Sequence, residues 1–113
     1  EVSISGDLQL LQKVVDNLLG NAAAYSPPGE RIAVKLWQAT DKANLTIENT
    51  GVHIPDEDIP KLFEAFYRVE QSRNRQTGGT GLGLYIVKTI LDLHGAAIKI
   101  ENTARGVMVS VQF

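Results

Sequence analysis

The chain has 113 residues, of which 43% are hydrophobic and 21% charged, which is the composition of one ordinary soluble globular domain. A net charge of -2 gives no basic surface for phosphodiester chains, so nucleic acid is not expected as a partner. The absence of cysteine excludes a disulfide framework and a thiolate metal site, and no apolar run approaches the roughly 18 residues that span a bilayer.

A short strand and a long helix open the chain. Val2 and Ile4 alternate with serines, which predicts a strand that stops at Gly6, and Asp7 is the predicted N-cap of the helix. Because the chain starts abruptly at this strand and ends on the core-type residue Phe113, we expect one domain of a longer protein. Two stripes run side by side along the helix, one through Leu8, Leu11, Val15, Leu18 and Ala22, the other through Leu10, Val14, Asn17, Asn21 and Tyr25.

Two amides interrupt the second stripe. Asn17 and Asn21 are one helical turn apart, so their side chains meet on one surface. A partly buried amide must find hydrogen-bond partners, and a neighbouring loop would supply them on a purely structural interpretation. On the functional interpretation, the side-chain oxygens coordinate a hard cation and its waters.

A β-hairpin follows the Pro-Pro-Gly break at residues 27–29. Alternation predicts a strand at residues 32–36, and residues 42–49 form its hairpin partner. Asn49 continues the inward-pointing apolar row of the second strand, so a polar group points at the core. This side chain either closes the following turn or reads the edge of a buried base with its amide.

A short helix is predicted after the hairpin, with Asp56 as its N-cap. Three aromatic residues, Phe63, Phe66 and Tyr67, follow it. Aromatic residues at such spacing usually belong to the core, and the alternative is that they form the hinge of a lid.

A glycine-rich stretch leads directly into the next helix. Its glycines let the backbone turn tightly and approach a ligand; they are Gly78, Gly79, Gly81 and Gly83. Apolar residues at helical spacing predict a helix from near Gly81 to about His94, with Gly95 as its stop. The first turn of such a helix presents unpaired N–H groups to an anion. The alternative is that the glycines only shape a loop.

Residues 71–77, just before the glycines, hold no aliphatic side chain and carry two arginines. Such a segment buries too little surface to order itself, so we expect a mobile lid over a phosphate site. After the second helix, Ile98 and Ile100 predict a strand, residues 105–106 a turn, and alternation over residues 107–113 the last strand.

Together, these segments resemble the catalytic, ATP-binding domain of bacterial sensor histidine kinases, within the gyrase, Hsp90, histidine kinase and MutL ATPase group. DNLLGNAAAYS at 16–26 resembles the N box, ENTGVHIP at 48–55 the first glycine box, LFEAFYR at 62–68 the F box, and GGTGLGLYIVK at 78–88 the second glycine box. Four blocks in this order are specific, although any one could arise by chance. The stretch at 72–88 is also similar to the sensor kinases of vancomycin resistance.

The resemblance implies a Bergerat-type fold, an α+β two-layer sandwich. About three helices would pack on one face of a mixed, largely antiparallel sheet of about five strands, in agreement with the predicted elements. It also implies that the chain binds ATP and Mg²⁺ and donates the γ-phosphoryl group to a histidine on a separate dimerisation and phosphoacceptor domain. The further partner would be the receiver domain of a response regulator.

The same resemblance implies a role for each matching residue. Asn21 would bind Mg²⁺ with Asn17 assisting, Tyr25 would pack on adenine, and Asn49 would accept a hydrogen bond from the adenine amino group. Asn17, Tyr67 and Arg68 are the implied catalytic residues. The remaining implied nucleotide contacts are Gly51, Ile54, Thr80, Gly81, Leu82, Gly83 and Leu84.

His53 and His94 both lack the sequence context of a phosphoacceptor helix, so we expect an exposed loop residue and a helix C-terminal cap, respectively. The resemblance then implies a cytoplasmic domain of a membrane-anchored sensor, monomeric in isolation and part of a homodimer at full length.

Three positions depart from the family pattern. Ala24 stands where many members have Lys, His53 where a second Gly is usual, and Asn49 where most have Asp. A neutral amide gives a weaker hydrogen bond to adenine than a carboxylate, so we expect real but not tight ATP binding.

Three other functions are alternatives to this one. A conformational clamp like Hsp90, MutL or gyrase needs a Glu where this chain has Asn17, which cannot act as a carboxylate base. An anti-sigma-type serine kinase shares the fold, but Tyr67 and Arg68 in the F box argue against it. The departures at Ala24, His53 and Asn49 make a degenerate, partner-binding domain the third alternative.

Overall fold

The computed structural model describes residues 6–64 and 83–113. Its elements are helix α1 (Leu8–Tyr25), strands β1 (Ile32–Ala39) and β2 (Lys42–Thr50), a 3₁₀ helix (Ile59–Lys61), helix α2 (Gly83–Leu93), and strands β3 (Ala97–Asn102) and β4 (Gly106–Gln112). The strand predicted at Val2 and Ile4 and the lid predicted at residues 71–77 lie outside the described residues.

The four strands form one sheet in the order β1-β2-β4-β3, and every pair is antiparallel. Helix α1 packs on β2, α2 packs on β3, and the two helices contact each other. The predicted two-layer α+β sandwich is therefore confirmed. Within residues 6–64 and 83–113 there are two α-helices and one 3₁₀ helix, and the sheet has four strands where about five were expected.

Helix α1 starts at the predicted cap, because Asp7 Oδ1 accepts a hydrogen bond of 3.1 Å from the backbone N–H of Leu10. Its core-facing residues are Val14, Leu18 and Ala22. Leu8 begins the first predicted stripe yet is 79% exposed, so it does not join the core. The helix buries only the sector that faces β2 and α2.

Strand β1 lies at the edge of the sheet, and all its residues are exposed. Val34 pairs with Ile47 and Leu36 with Leu45, so these β1 side chains point to the same face as the buried row of β2. The helices pack mainly on β2 and β3, which leaves Val34 50% and Leu36 58% exposed.

Helix α2 ends as predicted near Gly95, whose φ of 67° favours glycine. His94 caps this end: its Nδ1 lies 2.8 Å from the carbonyl oxygen of Ile90, and its Nε2 accepts a hydrogen bond of 3.1 Å from the backbone N–H of Asp7. The end of α2 is thus attached to the start of α1. The predicted helix start near Gly81 lies outside the described residues, and α2 is described from Gly83.

The short helix between the hairpin and α2 is a 3₁₀ helix with Asp58 as its N-cap, so the prediction that Asp56 caps it is wrong. The N–H of Asp58 donates to the carbonyl of Pro55, which makes residues 55–58 a separate turn. The helix therefore starts after this turn. None of the described helices combines the length and apolarity needed to cross a membrane.

Two clusters of buried side chains hold the layers together. The larger contains Val14, Leu18, Ala22, Leu45, Ile47, Val87, Ile90, Leu91 and Val111; the smaller contains Leu62, Ile100 and Val107. The larger cluster joins both helices to the sheet. The smaller one attaches the segment after β2 to strands β3 and β4.

Replacing Ile47 by valine is expected to lower the free energy of unfolding by about 1 kcal/mol, because Ile47 is only 1% exposed and the lost methyl group leaves a cavity. Ile32→Val is the matched control, since this residue is 40% exposed and should cost less than about 0.5 kcal/mol. Urea unfolding measures both changes. Equal effects of the two substitutions would contradict the packing described above.

Candidate functional site

The candidate site lies where α1 ends, β2 ends and α2 begins. Asn49, near the end of β2, donates a hydrogen bond of 2.6 Å from Nδ2 to the backbone carbonyl of Ala22 in α1. Tyr25, three residues further along α1, is half-buried. Asn17 and Asn21 lie on the same helix next to Gly83, the first residue of α2. The structure thus brings these predicted site residues to one end of the sandwich.

Asn49 is the buried polar residue of the core, with 7% of its surface exposed. Because Nδ2 donates to Ala22, the oxygen Oδ1 is left as the free end of the amide, and it has no hydrogen-bond partner within residues 6–64 and 83–113. A buried acceptor without a partner is costly unless a ligand supplies a donor. An exocyclic amino group fits this requirement.

The side chain of Asn49 does not take the alternative role of closing the turn after β2, because its Nδ2 donates to a backbone carbonyl of α1. That turn is held by other groups. Thr50 Oγ1 donates to Glu30 Oε1 at 2.8 Å and accepts a 2.7 Å hydrogen bond from the N–H of Arg31. Gly51 has a φ of 76°, and a Cβ there would meet the Glu30 side chain. The loop after Asn49 is therefore tightly constrained.

The two asparagines of α1 face the start of α2. A Cβ built on Gly83 would lie 3.1 Å from Asn17 Oδ1, which is a tight contact, so glycine eases the approach of Asn17. The same Cβ would lie 3.8 Å from Nδ2 and 3.9 Å from Oδ1 of Asn21. Asn17 Nδ2 donates to the carbonyl of Lys13 at 2.8 Å, which leaves its oxygen directed at α2. Within residues 6–64 and 83–113, neither amide bonds a neighbouring loop, which is what the purely structural interpretation requires.

This arrangement places amide oxygens beside the N-terminus of a helix. Amide oxygens are ligands for hard cations, and unpaired N–H groups at a helix start suit anions. No group of three His, Cys, Asp or Glu residues that could hold a metal ion occurs in the described part of the chain. The described residues offer a cation here the side-chain amides of Asn17 and Asn21, beside oxygens of the cation's own ligand. An Mg²⁺ ion bound to phosphates fits that donor set.

Two predicted nucleotide contacts pack on the smaller cluster, whose member Val107 pairs with Asn49 across the sheet. Ile54 and Leu84 both pack against the side chains of Leu62, Ile100 and Val107. Leu84 also packs against the larger cluster, so it joins the start of α2 to both. His53, as expected, is an exposed loop residue.

Several predicted site residues lie outside the described residues: Tyr67, Arg68, Thr80, Gly81 and Leu82. Sequence reasoning also missed two groups that shape the site, the backbone carbonyl of Ala22 and the side chain of Glu30. Neither had a signal in the sequence, because a carbonyl belongs to every residue and Glu30 is an ordinary surface residue after a turn.

The fold is a two-layer sandwich with a buried amide, and two asparagines of α1 lie beside the N-terminus of α2. These are features of a nucleotide-binding domain. The chain belongs to the family of histidine kinase-, DNA gyrase B-, and HSP90-like ATPases, which matches residues 6–113. The resemblance drawn from the four sequence blocks is confirmed.

The relatives of this chain include sensor histidine kinases. It is 41% identical over 106 residues to the sensor histidine kinase CusS of Escherichia coli O157:H7, covering 94% of this chain and 22% of CusS. It is 38% identical over 105 residues to the sensor protein VanSB of Enterococcus faecalis, covering 93% of this chain and 24% of VanSB. The chain thus spans about a quarter or less of these relatives.

Solved structures of histidine kinases have the same fold. The mycobacterial sensor histidine kinase MprB superposes with a TM-score of 0.87 at 35% identity, covering 97% of this chain and 75% of that one. The catalytic domain of histidine kinase ThkA gives a TM-score of 0.83 at 26% identity, covering 97% and 69%.

Proposed function

We propose that this chain binds ATP with Mg²⁺ and presents the γ-phosphoryl group to a histidine on a separate helical dimerisation and phosphoacceptor domain. The observation that carries the proposal is the placement of Asn17 and Asn21 against the first residue of α2. Cation ligands and an anion-binding helix start lie side by side there, as a metal-bound polyphosphate requires.

Each described residue of the site has a task in this proposal. Asn21, assisted by Asn17, holds Mg²⁺ through its side-chain oxygen, and the N–H groups at the start of α2 bind the phosphates. Asn49 Oδ1 accepts a hydrogen bond from the adenine amino group, and Tyr25 packs on the ring. The remaining predicted contacts are Gly51, Ile54, Thr80, Gly81, Leu82, Gly83 and Leu84. Tyr67 and Arg68 stay predicted catalytic residues.

The bound Mg-ATP supplies a phosphoryl group whose charge the cation partly neutralises. The protein contributes position rather than acid–base chemistry. An amide at Asn17 cannot take a proton from water, and Asn17 Nδ2 is held by Lys13. Glu48 does not serve as the base either, because it points to the sheet face opposite Asn49, where Thr103 Oγ1 donates to its Oε2 at 2.8 Å. The site therefore favours transfer to an external acceptor over hydrolysis.

We propose two partners for this activity, one in the same protein and one in a separate protein. The helical domain would supply the acceptor histidine, and a response-regulator receiver domain would act with the kinase. We propose that the isolated domain is a monomer and the full-length protein a homodimer. We also propose that it is the cytoplasmic part of a membrane-anchored sensor, as the family resemblance implies.

Titration of the chain with a nonhydrolysable ATP analogue and Mg²⁺ is expected to give saturable heat below about millimolar nucleotide, because amide groups and backbone N–H groups make hydrogen bonds of moderate strength. Isothermal titration calorimetry measures this, and Asn44→Ala at the far end of β2 is a control that should bind like the wild type. Heat absent at millimolar nucleotide would count against the proposal.

Mixing the chain with its helical domain and labelled ATP then tests phosphoryl transfer. Acid-labile, base-stable phosphate on the helical domain supports histidine phosphorylation. Phosphate on serine would favour the anti-sigma-type alternative. No phosphate on any residue would favour a degenerate domain that binds protein partners and has lost nucleotide, in keeping with the departures at Ala24, His53 and Asn49.

A further inference from the structure

The side chain of Asn102, the last residue of β3, bonds the loop that follows β2. Its Oδ1 accepts a 3.0 Å hydrogen bond from the N–H of Ile54, and its Nδ2 donates to the carbonyl of the same residue at 2.7 Å. Nδ2 also donates to Asp56 Oδ1 at 3.2 Å. One amide thus satisfies both backbone groups of Ile54, as a neighbouring strand would.

The same loop is also attached to the turn between β3 and β4. The N–H of Gly51 donates a 3.0 Å hydrogen bond to the carbonyl of Arg105 in that turn. The loop between these attachments follows directly after Asn49 and contains Ile54, which packs against the smaller cluster. The contact that holds Ile54 at the edge of β3 therefore fixes the path that the chain takes after Asn49, whose amide we propose reads adenine.

We propose that Asn102 is a positioning residue of the nucleotide site, which sets nucleotide affinity by holding the loop at residues 51–56 without touching the ligand. The inference rests on the proposed function. An amide is the side chain that can do this, because the site needs one acceptor for the N–H of Ile54 and donors for two oxygens, those of Ile54 and Asp56.

The test is a cycle of substitutions that exchanges donor and acceptor. N102D keeps the acceptor for Ile54 but sets a carboxylate against the Ile54 carbonyl and Asp56, so affinity for the ATP analogue should fall about tenfold. D56N restores a donor opposite the new carboxylate but leaves the Ile54 carbonyl facing it, so the double variant N102D/D56N should regain about threefold of the lost affinity. N44D, the same change at the far end of the sheet, should have less than about a twofold effect.

Hydrogen exchange of the Ile54 backbone amide is a second measurement. A general loss of stability would not accelerate this exchange selectively. Exchange should accelerate in N102D more than exchange of Ile47 in the core strand, and slow again in the double variant. If N102D does not fold, Asn102→Ser, which keeps an acceptor and loses one of the two donations, should weaken affinity about threefold.

The outcomes separate this inference from the proposed function. Wild-type chain that binds no nucleotide would overturn both. Wild-type binding together with unchanged affinity in N102D and Asn102→Ser would overturn the role of Asn102 and leave the function standing. An equal loss of affinity in N102D and in N44D would also overturn it, because the effect would then not depend on the contact with Ile54.

Discussion

Replacing Asn21 by alanine is expected to weaken binding of a nonhydrolysable ATP analogue about 100-fold in Mg²⁺ and to leave binding in excess EDTA nearly unchanged. The side-chain amide of Asn21 lies beside the start of α2, where the phosphates would lie, and alanine removes the oxygen that we assign as a metal ligand. Calorimetry at matched ionic strength, with and without Mg²⁺, measures the effect.

Two controls sharpen this prediction. Asn17→Ala should cost less than Asn21→Ala, since we assign Asn17 an assisting role and its Nδ2 is already held by the carbonyl of Lys13. Asn44→Ala, far from the site, should bind like the wild type. Magnesium-dependent affinity that survives in Asn21→Ala would refute the assignment of the metal to this residue.

Much of the fold could be predicted from the sequence because strong local signals agree with the final packing. Alternation placed the strands, and Asp7 and Gly95 marked the ends of helices where the structure has them. Where competing signals exist, the prediction failed. Asp56 is an acceptable N-cap residue, but residues 55–58 form a turn, so the 3₁₀ helix begins only after Asp58.

Periodicity also overstated the core. Leu8 has the spacing of a buried residue yet is exposed, and Val34 alternates correctly on a strand whose inner face the helices do not cover. Spacing reports which residues share a face, but only the lateral position of α1 over the sheet decides how much of that face is buried. That position depends on long-range contacts that the pattern does not contain.

The site was predictable at the level of residue types and not at the level of orientation. Asn49 was recognised because a polar residue continued an apolar row, and the buried position agrees. Which end of the amide faces a ligand depends on the carbonyl of Ala22, a group with no sequence signal. Asn102 was missed for the same reason, since an amide at a strand end is common and its partner Ile54 is distant in the chain.

Replacing Asn49 by leucine is expected to weaken binding of the ATP analogue about 100-fold and to abolish discrimination between adenine and hypoxanthine nucleotides. The wild type should prefer ATP to inosine triphosphate by at least about tenfold, because Oδ1 accepts from an amino group and opposes a carbonyl oxygen. Competition binding of the two nucleotides measures this preference. Equal affinity of the wild type for both would contradict base reading by Asn49.

Asn49→Asp separates the two ends of the amide. Most family members carry Asp here, so family pattern alone expects tighter binding through a charge-assisted hydrogen bond to adenine. The structure leads to the opposite expectation, since Nδ2 lies 2.6 Å from the Ala22 carbonyl and a carboxylate there would set two oxygens against each other in a buried position. Affinity should therefore fall at least about tenfold, while N44D stays near the wild type. Tighter binding in Asn49→Asp would mean that the Ala22 carbonyl does not orient this side chain. The neutral amide would then lower the affinity for ATP without being required by the contact with α1.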